Sequence, residues 1–243
     1  MNIYINEPLV MRNSRIAKFA MGGGLAVLFA GMILTFRSTE YFYLSLAALL
    51  LGFILSQVGI YFTNRWGRHP RPYEVIDRAL KGLDGRYSIY HFLAPVAHLM
   101  VGPSGVWVLI PQSQGGTISF QNGRYRQRGG SLYLKIFAQE NLGRPDLEAA
   151  AEINKIQSLL EKGLEAENTP RVRAALVFIN PKVEIVQPEE EDAALPAAMV
   201  TADKLKDLVR RSTKDKTTKE KSLFLSPGQV EEINNLIFPP EVD

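Results

Sequence analysis

Histidine is the first residue type to consider for chemistry, because its imidazole acts as an acid, a base or a metal ligand near neutral pH. The chain has three histidines, His69, His91 and His98. They are scattered over a predicted loop and predicted strands, and none has a second ligand at a recognisable spacing. His98 stands at the start of a predicted strand, where a hydrogen-bonded structural histidine is the default interpretation.

The other residue patterns that carry chemistry are absent from the sequence. There is no phosphate loop ending in Gly-Lys-Ser/Thr, no His-Glu-x-x-His, no calcium loop and no glycine-flanked serine of the hydrolase type. The chain also has no cysteine, which excludes a thiol nucleophile, a cysteine-ligated zinc or iron–sulfur site and a disulfide-stapled module.

A row of arginines is the clearest binding feature. Arg124, Arg126 and Arg128 alternate with Tyr125 and Gln127, so on a strand the three guanidinium groups share one face. They could contact phosphates of nucleic acid or of anionic lipid. The alternative interpretation is a solvated edge strand whose charge prevents pairing between sheets.

A second basic stretch, 204–221, holds eight cations and three acids. Close to an anionic inner leaflet it could hold a domain against the membrane. A solvated loop around Ser212 to Lys221 is the alternative interpretation.

Outside the first 64 residues, basic and acidic side chains are nearly equal in number. The chain has 243 residues, 46% of them hydrophobic, and a formal net charge of +3. The first 64 residues carry 4 basic and 2 acidic side chains, which leaves 24 and 23 in the remainder. A nearly neutral remainder is no argument for nucleic-acid binding by itself.

Two uncharged apolar runs, 19–36 and 41–64, come first in the chain. Each is long enough to cross a hydrocarbon core of about 30 Å as a helix. A cleaved signal peptide is the alternative for the first run, and two buried core helices are the alternative for both. The length of the runs, the short gap between them and the absence of a polar face favour a transmembrane hairpin over residues 1–64.

The flanking cations predict the orientation of this hairpin. Arg12, Arg15 and Lys18 precede the first span, and three further cations, Arg65, Arg68 and Arg71, follow the second. The positive-inside rule then places both termini in the cytoplasm, as a multi-pass protein of the cell membrane. Neither span contains an ionisable residue, which favours an anchor in the lipid bilayer over a transporter. Small residues at Ala48, Gly52 and Ser56 would let another helix approach, from the same hairpin or from a second copy.

The remainder of the chain alternates between helix and strand patterns and predicts an α/β fold. A linker over 65–72 leads into a domain over 73–243. Within it, the order helix, several strands, helix, strand, helix predicts a mixed sheet covered by helices. Helices are predicted at Glu74–Leu83, around 147–164, after a capping Thr201 and after the capping sequence Ser226-Pro227-Gly228-Gln229, and strands at 87–93, 99–101, 106–110, 117–120, 125–133, 174–179 and 198–200.

The segment 97–109, Ala-His-Leu-Met-Val-Gly-Pro-Ser-Gly-Val-Trp-Val-Leu, resembles the central signature of the NERD family, the nuclease-related domain. That family belongs to the restriction-endonuclease-like fold. Its signature has an Asp-His pair, an apolar strand, a Gly-Pro-x-Gly turn and a second strand that ends in Glu-x-Lys. The resemblance covers about residues 73–238, and only the block 97–110 is specific.

The resemblance implies a metal site held by the Asp and the Glu, with the Lys beside the attacking water. In this sequence these positions are Ala97, Ile110 and Gln112, and Glu74 and His98 are the polar residues that remain. One carboxylate is too few ligands for a hard cation such as magnesium. We therefore expect a retained fold without catalytic residues, without a metal and without another cofactor.

Three hypotheses follow from the sequence. The first is a membrane-anchored, catalytically inactive NERD-like domain that acts as an interaction or scaffold module for an unknown protein partner. The second is an active or structure-specific nuclease that uses magnesium through unrecognised ligands. The third is non-catalytic binding of nucleic acid or anionic lipid by the arginine row.

Overall fold

The computed structural model of the chain describes residues 1–37, 39–129, 142–186, 195–214 and 224–238. These residues form two compact units. The hairpin unit is Glu7–Pro72, and the α/β unit comprises Met1–Asn6 and the described residues from Tyr73 onward. The acidic segment Glu189–Asp192 and the predicted basic loop beyond residue 214 lie outside the described residues.

The hairpin unit consists of helix α1, Glu7–Arg37, and helix α2, Phe42–Phe62, which continues into a π-helical turn over Thr63–Gly67. Both helices are long and apolar enough to cross a membrane. Helix α1 begins at Glu7 rather than at residue 19, and its 31 residues give a length of about 46 Å. Because this exceeds a hydrocarbon core of about 30 Å, the turns that carry Arg12, Arg15 and Lys18 extend beyond the predicted span.

The two helices pack through small residues that repeat every seven positions. Such a repeat keeps one seam of each helix turned toward its partner. At the centre of the seam, a Cβ atom added to Gly52 would lie 2.8 Å from the backbone nitrogen of Leu28. The predicted small stripe around Gly52 therefore faces α1 of the same chain. The buried residues of the repeat are Val10, Ala17, Gly24 and Gly31 on α1, and Ser45, Gly52 and Gly59 on α2.

The α/β unit is built on a six-stranded mixed sheet in the order β1-β2-β3-β4-β7-β9. Strands β2, β3 and β4 form an antiparallel meander, and β1, β7 and β9 add in parallel to their neighbours. The first strand precedes the hairpin and was not predicted. The strands of this sheet are β1 (Asn2–Ile5), β2 (Ser88–His91), β3 (His98–Gly102), β4 (Gly105–Gln112), β7 (Val172–Phe178) and β9 (Ala198–Thr201).

Helices cover both faces of this sheet, as the sequence predicts. Helix α3, Pro72–Leu80, and helix α5, Leu205–Lys214, pack on the face that carries Trp107 and Leu109. Helix α4, Pro145–Gly163, and helix α6, Pro227–Ile237, pack on the opposite face. Successive strand residues point to opposite faces of the sheet. Because helices cover both faces, the side chains of the central strands are apolar on both sides.

A second sheet departs from the one mixed sheet that the sequence predicts. Strands β5, Gly116–Gln121, and β6, Arg124–Arg128, pair with β8, Val183–Val186, in the order β6-β5-β8. The edge of β4 is occupied by β7, so β5 cannot continue the first sheet. Strand β8 was not predicted.

Two predicted helix caps have different outcomes. The capping box of α6 is confirmed, because the Ser226 hydroxyl accepts from the Gln229 backbone N–H and the Gln229 side chain accepts from Ser226. The predicted Thr201 cap is wrong, since Thr201 makes no side-chain cap hydrogen bond. Thr201 is the last residue of β9, and the pairing of that strand with β7 sets the direction of its side chain.

Candidate functional site

A chain of three hydrogen-bonded polar side chains, two buried histidines and the partly exposed Asp77, joins α3 to the first sheet. The Nε2 atom of His91 lies 2.9 Å from a carboxylate oxygen of Asp77, and its Nδ1 atom lies 2.8 Å from Nδ1 of His98. His91 is fully buried and His98 is 3% exposed. Hydrogen bonds satisfy these polar atoms in the interior, where unpaired groups would be costly.

The strand register creates this arrangement. His91 and His98 are direct partners in the antiparallel pair β2–β3, so their side chains project from the same face. That face is the one that carries Met100 and packs against α3. On α3, Asp77 follows the buried Ile76, which brings its carboxylate to the edge of the packed surface.

The hydrogen bonds couple the proton positions of the two rings. A neutral His91 that donates from Nε2 to the Asp77 carboxylate must accept at Nδ1, and in that state Nδ1 of His98 is the donor. The chain of hydrogen bonds orients both rings and links α3, β2 and β3, and burial closes the two imidazoles to solutes of substrate size.

Aromatic rings and an unusual backbone complete the surroundings of the histidine pair. Phe92 has a φ of 60°, in the left-handed region that a bulky residue rarely adopts. Its ring centroid lies 5.1 Å from that of His98, and the ring of Tyr73 lies 5.4 Å from that of His91. Non-glycine residues in this region cost about 1–3 kcal/mol and persist where their surroundings hold them.

The dipeptide His91-Phe92 also contacts the two residues of the α/β unit, Asn6 and Tyr73, that adjoin the hairpin in sequence. Asn6, the residue before α1, donates from its backbone to the His91 carbonyl and from its side chain to the Phe92 carbonyl. Tyr73, the first α/β-unit residue after the hairpin, is buried against both rings. Both chain connections of the α/β unit therefore meet at one dipeptide.

The positions implied by the NERD resemblance fall on two different faces of the sheet. Ile110 is 4% exposed and belongs to the core beneath α4 and α6, and Gln112 lies two residues further along the same face. Glu74 is half-buried on α3, which packs on the opposite face. Ala97 directly precedes β3, and its carbonyl accepts from the Phe92 N–H.

Within the ranges described above, no group of three histidine, aspartate or glutamate side chains is arranged to hold an ion. Asp77, His91 and His98 are close together, but the Nδ1 atoms of the two histidines are hydrogen-bonded to each other. They therefore do not direct their lone pairs to a common point.

A separate cavity of about 580 Å³ lies where β4, β7 and β9 begin. Trp107 and Arg173 form part of its wall. The Arg173 guanidinium stacks 4.0 Å from the centroid of the Trp107 ring and donates to the Ser104 carbonyl. These contacts hold the charge against the wall of the cavity.

The arginine row occupies the edge strand β6 of the second sheet. Arg124, Arg126 and Arg128 are exposed, whereas Tyr125 between them is buried. The Tyr125 hydroxyl donates to the Ala197 carbonyl at 2.7 Å and accepts from the Ala197 N–H at 3.1 Å. Burial raises the pKa of Tyr125, which keeps this hydroxyl neutral. The inward tyrosine thus fixes the face on which the three arginines stand.

Sequence reasoning did not identify Asp77 or the pairing of the two histidines. The available signals were the hydrophobic spacing of α3, which places Asp77 between Ile76 and Leu80, and the antiparallel hairpin that aligns His91 with His98. Neither residue spacing resembles a known motif.

The chain was compared with protein-family models, with curated proteins and with solved structures, and nothing in any of the three comparisons matches it.

Proposed function

We propose that the chain is a membrane-anchored, catalytically inactive NERD-like domain that serves as an interaction or scaffold module on the cytoplasmic face of the cell membrane. The observation that carries this proposal is the position of Ile110. Where the family resemblance implies a metal-binding carboxylate, a hydrocarbon side chain is packed into the core. Gln112, at the implied lysine position, brings no positive charge.

The membrane part of the proposal is supported by the two apolar helices and by strand β1. Because β1 pairs with β2, the segment before α1 and the domain after α2 belong to one compact unit. That arrangement agrees with an even number of membrane crossings. The cations on both flanks of the hairpin favour the cytoplasm for this unit.

The order of elements supports the restriction-endonuclease-like part of the proposal. Helix α3, the meander β2-β3-β4, helix α4 and the parallel strand β7 follow the order of helix, sheet, helix and strand that the resemblance implies. The specific block, 97–110, covers β3, the turn with Gly102 and Gly105, and most of β4. Fold alone does not establish activity, which depends on the residues of the site.

Nuclease activity provides the test of catalytic inactivity. We expect the purified full chain in detergent to leave single- and double-stranded DNA intact with magnesium or manganese, because the implied site has no pair of carboxylates. Calorimetric titration of manganese into the chain should give no binding heat. The Glu74→Gln variant serves as the matched control. Metal-dependent cleavage by the parent chain that is lost in Glu74→Gln would establish the nuclease alternative instead.

Single-cysteine labelling provides the test of membrane topology, because the chain contains no cysteine of its own. We expect Thr39→Cys, between the helices, to react with a membrane-impermeant maleimide in intact cells. Gln121→Cys, at the exposed end of β5, should react only after permeabilisation. The reverse pattern would overturn the proposed orientation. Labelling of both sites in intact cells, or of neither, would show that the hairpin does not cross the membrane.

A further inference from the structure

The outer face of the second sheet forms a polar platform built around the arginine row. Strand pairing places Arg126 beside Ser119, Arg128 beside Thr117, and Arg124 beside Gln121. On the far side of β5, Glu184 and Val186 of β8 complete the two longer rows. The platform therefore presents three guanidinium groups, two hydroxyl groups, one amide and one carboxylate.

The inner face of the same sheet is apolar apart from Gln127, which donates to the Gly115 carbonyl, and it holds the platform in place. Ile118 is fully buried and Tyr125 is 6% exposed, and both belong to the core beneath α4 and α6. The alternation along β6 is therefore enforced by packing on one side. A shift of one residue would bury the arginines, so the register that exposes them is strongly specified.

The chemistry of the platform matches phosphate groups. Successive arginines on one face of a strand are about 6.8 Å apart along the strand. Each guanidinium can donate two parallel hydrogen bonds to a phosphate, and neighbouring hydroxyl and amide groups can donate further ones. With Glu184 as the acid on this face, the described residues of the platform carry a net charge of +2.

The ligand that fits this platform best is a membrane surface. Single-stranded nucleic acid is held by aromatic rings that stack on the bases, together with positive charge. The aromatic residues of these strands, Phe120 and Tyr125, lie on the inner face instead. A chain attached to a bilayer also meets lipid phosphates at high local concentration.

We infer that the outer face of the β6-β5-β8 sheet binds the phosphate groups of anionic lipids in the leaflet to which the chain is anchored. This inference rests on the membrane attachment proposed above and not on the loss of nuclease chemistry. Each arginine near an anionic surface is expected to favour the bound state about fivefold at low salt. Three arginines together should therefore raise the ratio of membrane-bound to unbound platform by about a hundredfold.

The test uses the full chain in lipid nanodiscs, with a bimane fluorophore attached at Asn122→Cys, in the exposed turn between β5 and β6 beside the platform, and a nitroxide on a small fraction of lipid headgroups. Quenching reports that the platform is close to the membrane surface. We expect strong quenching in phosphatidylcholine–phosphatidylserine nanodiscs and weak quenching in phosphatidylcholine alone. Added salt should reduce it, because exposed charges are screened beyond a Debye length of about 10 Å.

Matched variants separate the platform from total charge. The triple variant Arg124→Gln/Arg126→Gln/Arg128→Gln should lose the response to phosphatidylserine. Glu184→Gln should strengthen it, because this change removes the acid from the same face. The control variant Lys81→Gln/Lys155→Gln/Lys162→Gln removes the same charge from exposed positions elsewhere and should respond like the parent chain.

Each contrary result overturns the inference in a different way. Equal quenching in both lipid compositions, with the chain retained in the nanodisc, excludes lipid binding by the platform. Oligonucleotide binding that is lost in the arginine triple variant, without a lipid response, assigns the platform to nucleic acid. Oligomers of the triple variant without a lipid response assign the arginines to protection of the sheet edge. Release of the chain from neutral nanodiscs would instead refute the membrane attachment itself.

Discussion

Replacing His91 by phenylalanine is expected to lower the free energy of unfolding of the α/β unit by about 3 kcal/mol. The phenyl ring preserves most of the volume beside Tyr73, so the loss arises from hydrogen bonding. The Asp77 carboxylate would lose its donor at 2.9 Å, and Nδ1 of the buried His98 would lose its partner at 2.8 Å. Breaking a buried pair on one side leaves the other group unsatisfied, which costs more than the bond itself contributes.

Denaturant unfolding followed by tryptophan fluorescence measures this effect. The chain has two tryptophans, so a Trp66→Phe background leaves Trp107, in the core of the α/β unit, as the sole reporter. His69→Phe, at an exposed position outside the α/β unit, is the matched control and should change the stability of that unit little. A double-mutant cycle of Asp77→Asn and His91→Phe should give a clear coupling energy. Additive effects in that cycle would contradict the hydrogen-bonded chain.

Replacing Gly52 by leucine is expected to separate the two helices of the hairpin. A Cβ atom at this position would lie 2.7 Å from the side chain and 2.8 Å from the backbone nitrogen of Leu28. Rotation of a side chain cannot relieve a contact with backbone, so the helices must move apart along the seam. Close packing of small residues is a main source of helix association in lipid, where apolar surface alone gives little preference.

Disulfide formation between introduced cysteines measures the separation of the helices. Gly31→Cys and Ala48→Cys suit this purpose, because a Cβ atom at position 31 would lie 3.1 Å from that of Ala48. A shift of a few tenths of an ångström brings this pair to the separation of roughly 3.5–4.5 Å found in disulfides. Oxidation should link this pair efficiently in the parent chain and poorly in the Gly52→Leu variant. Gly23→Leu is the matched control, since a Cβ atom there meets nothing within 4 Å. Equal crosslinking in Gly52→Leu would refute the close seam.

Local sequence signals predict those parts of the fold that local interactions determine. The two apolar runs, the hydrophobic spacing of α4 and the capping box of α6 each involve residues that are neighbours along one element. Strand β1 escaped prediction because Asn2–Ile5 is short and its partner, β2, begins at Ser88. The division of the strands between two sheets has a similar cause. Strand β7 pairs with the edge of β4 although the two strands are far apart in sequence, and hydrophobic periodicity does not predict such a pairing.

The candidate site shows the same division between local and long-range information. The alternation of Arg124, Arg126 and Arg128 with Tyr125 predicts a shared face, and the structure confirms that the three arginines are exposed on one side. The link between Asp77, His91 and His98 depends on the β2–β3 register and on the position of α3, neither of which is encoded in the spacing of these residues. The face on which Ile110 and Gln112 lie likewise requires knowledge of which helices cover which side of the sheet.

The pairing of β1 with β2 has a consequence for the biosynthesis of the chain. The ribosome makes β1 before the hairpin and β2 after it, so the edge of the first sheet closes only once residues 7–72 have been placed. If only one of the two helices crossed the bilayer, β1 and β2 would lie in different compartments. The edge of β2 would then remain unpaired, as a template for aggregation and a target for quality control. On the membrane attachment proposed above, completion of the sheet therefore depends on correct insertion of the hairpin.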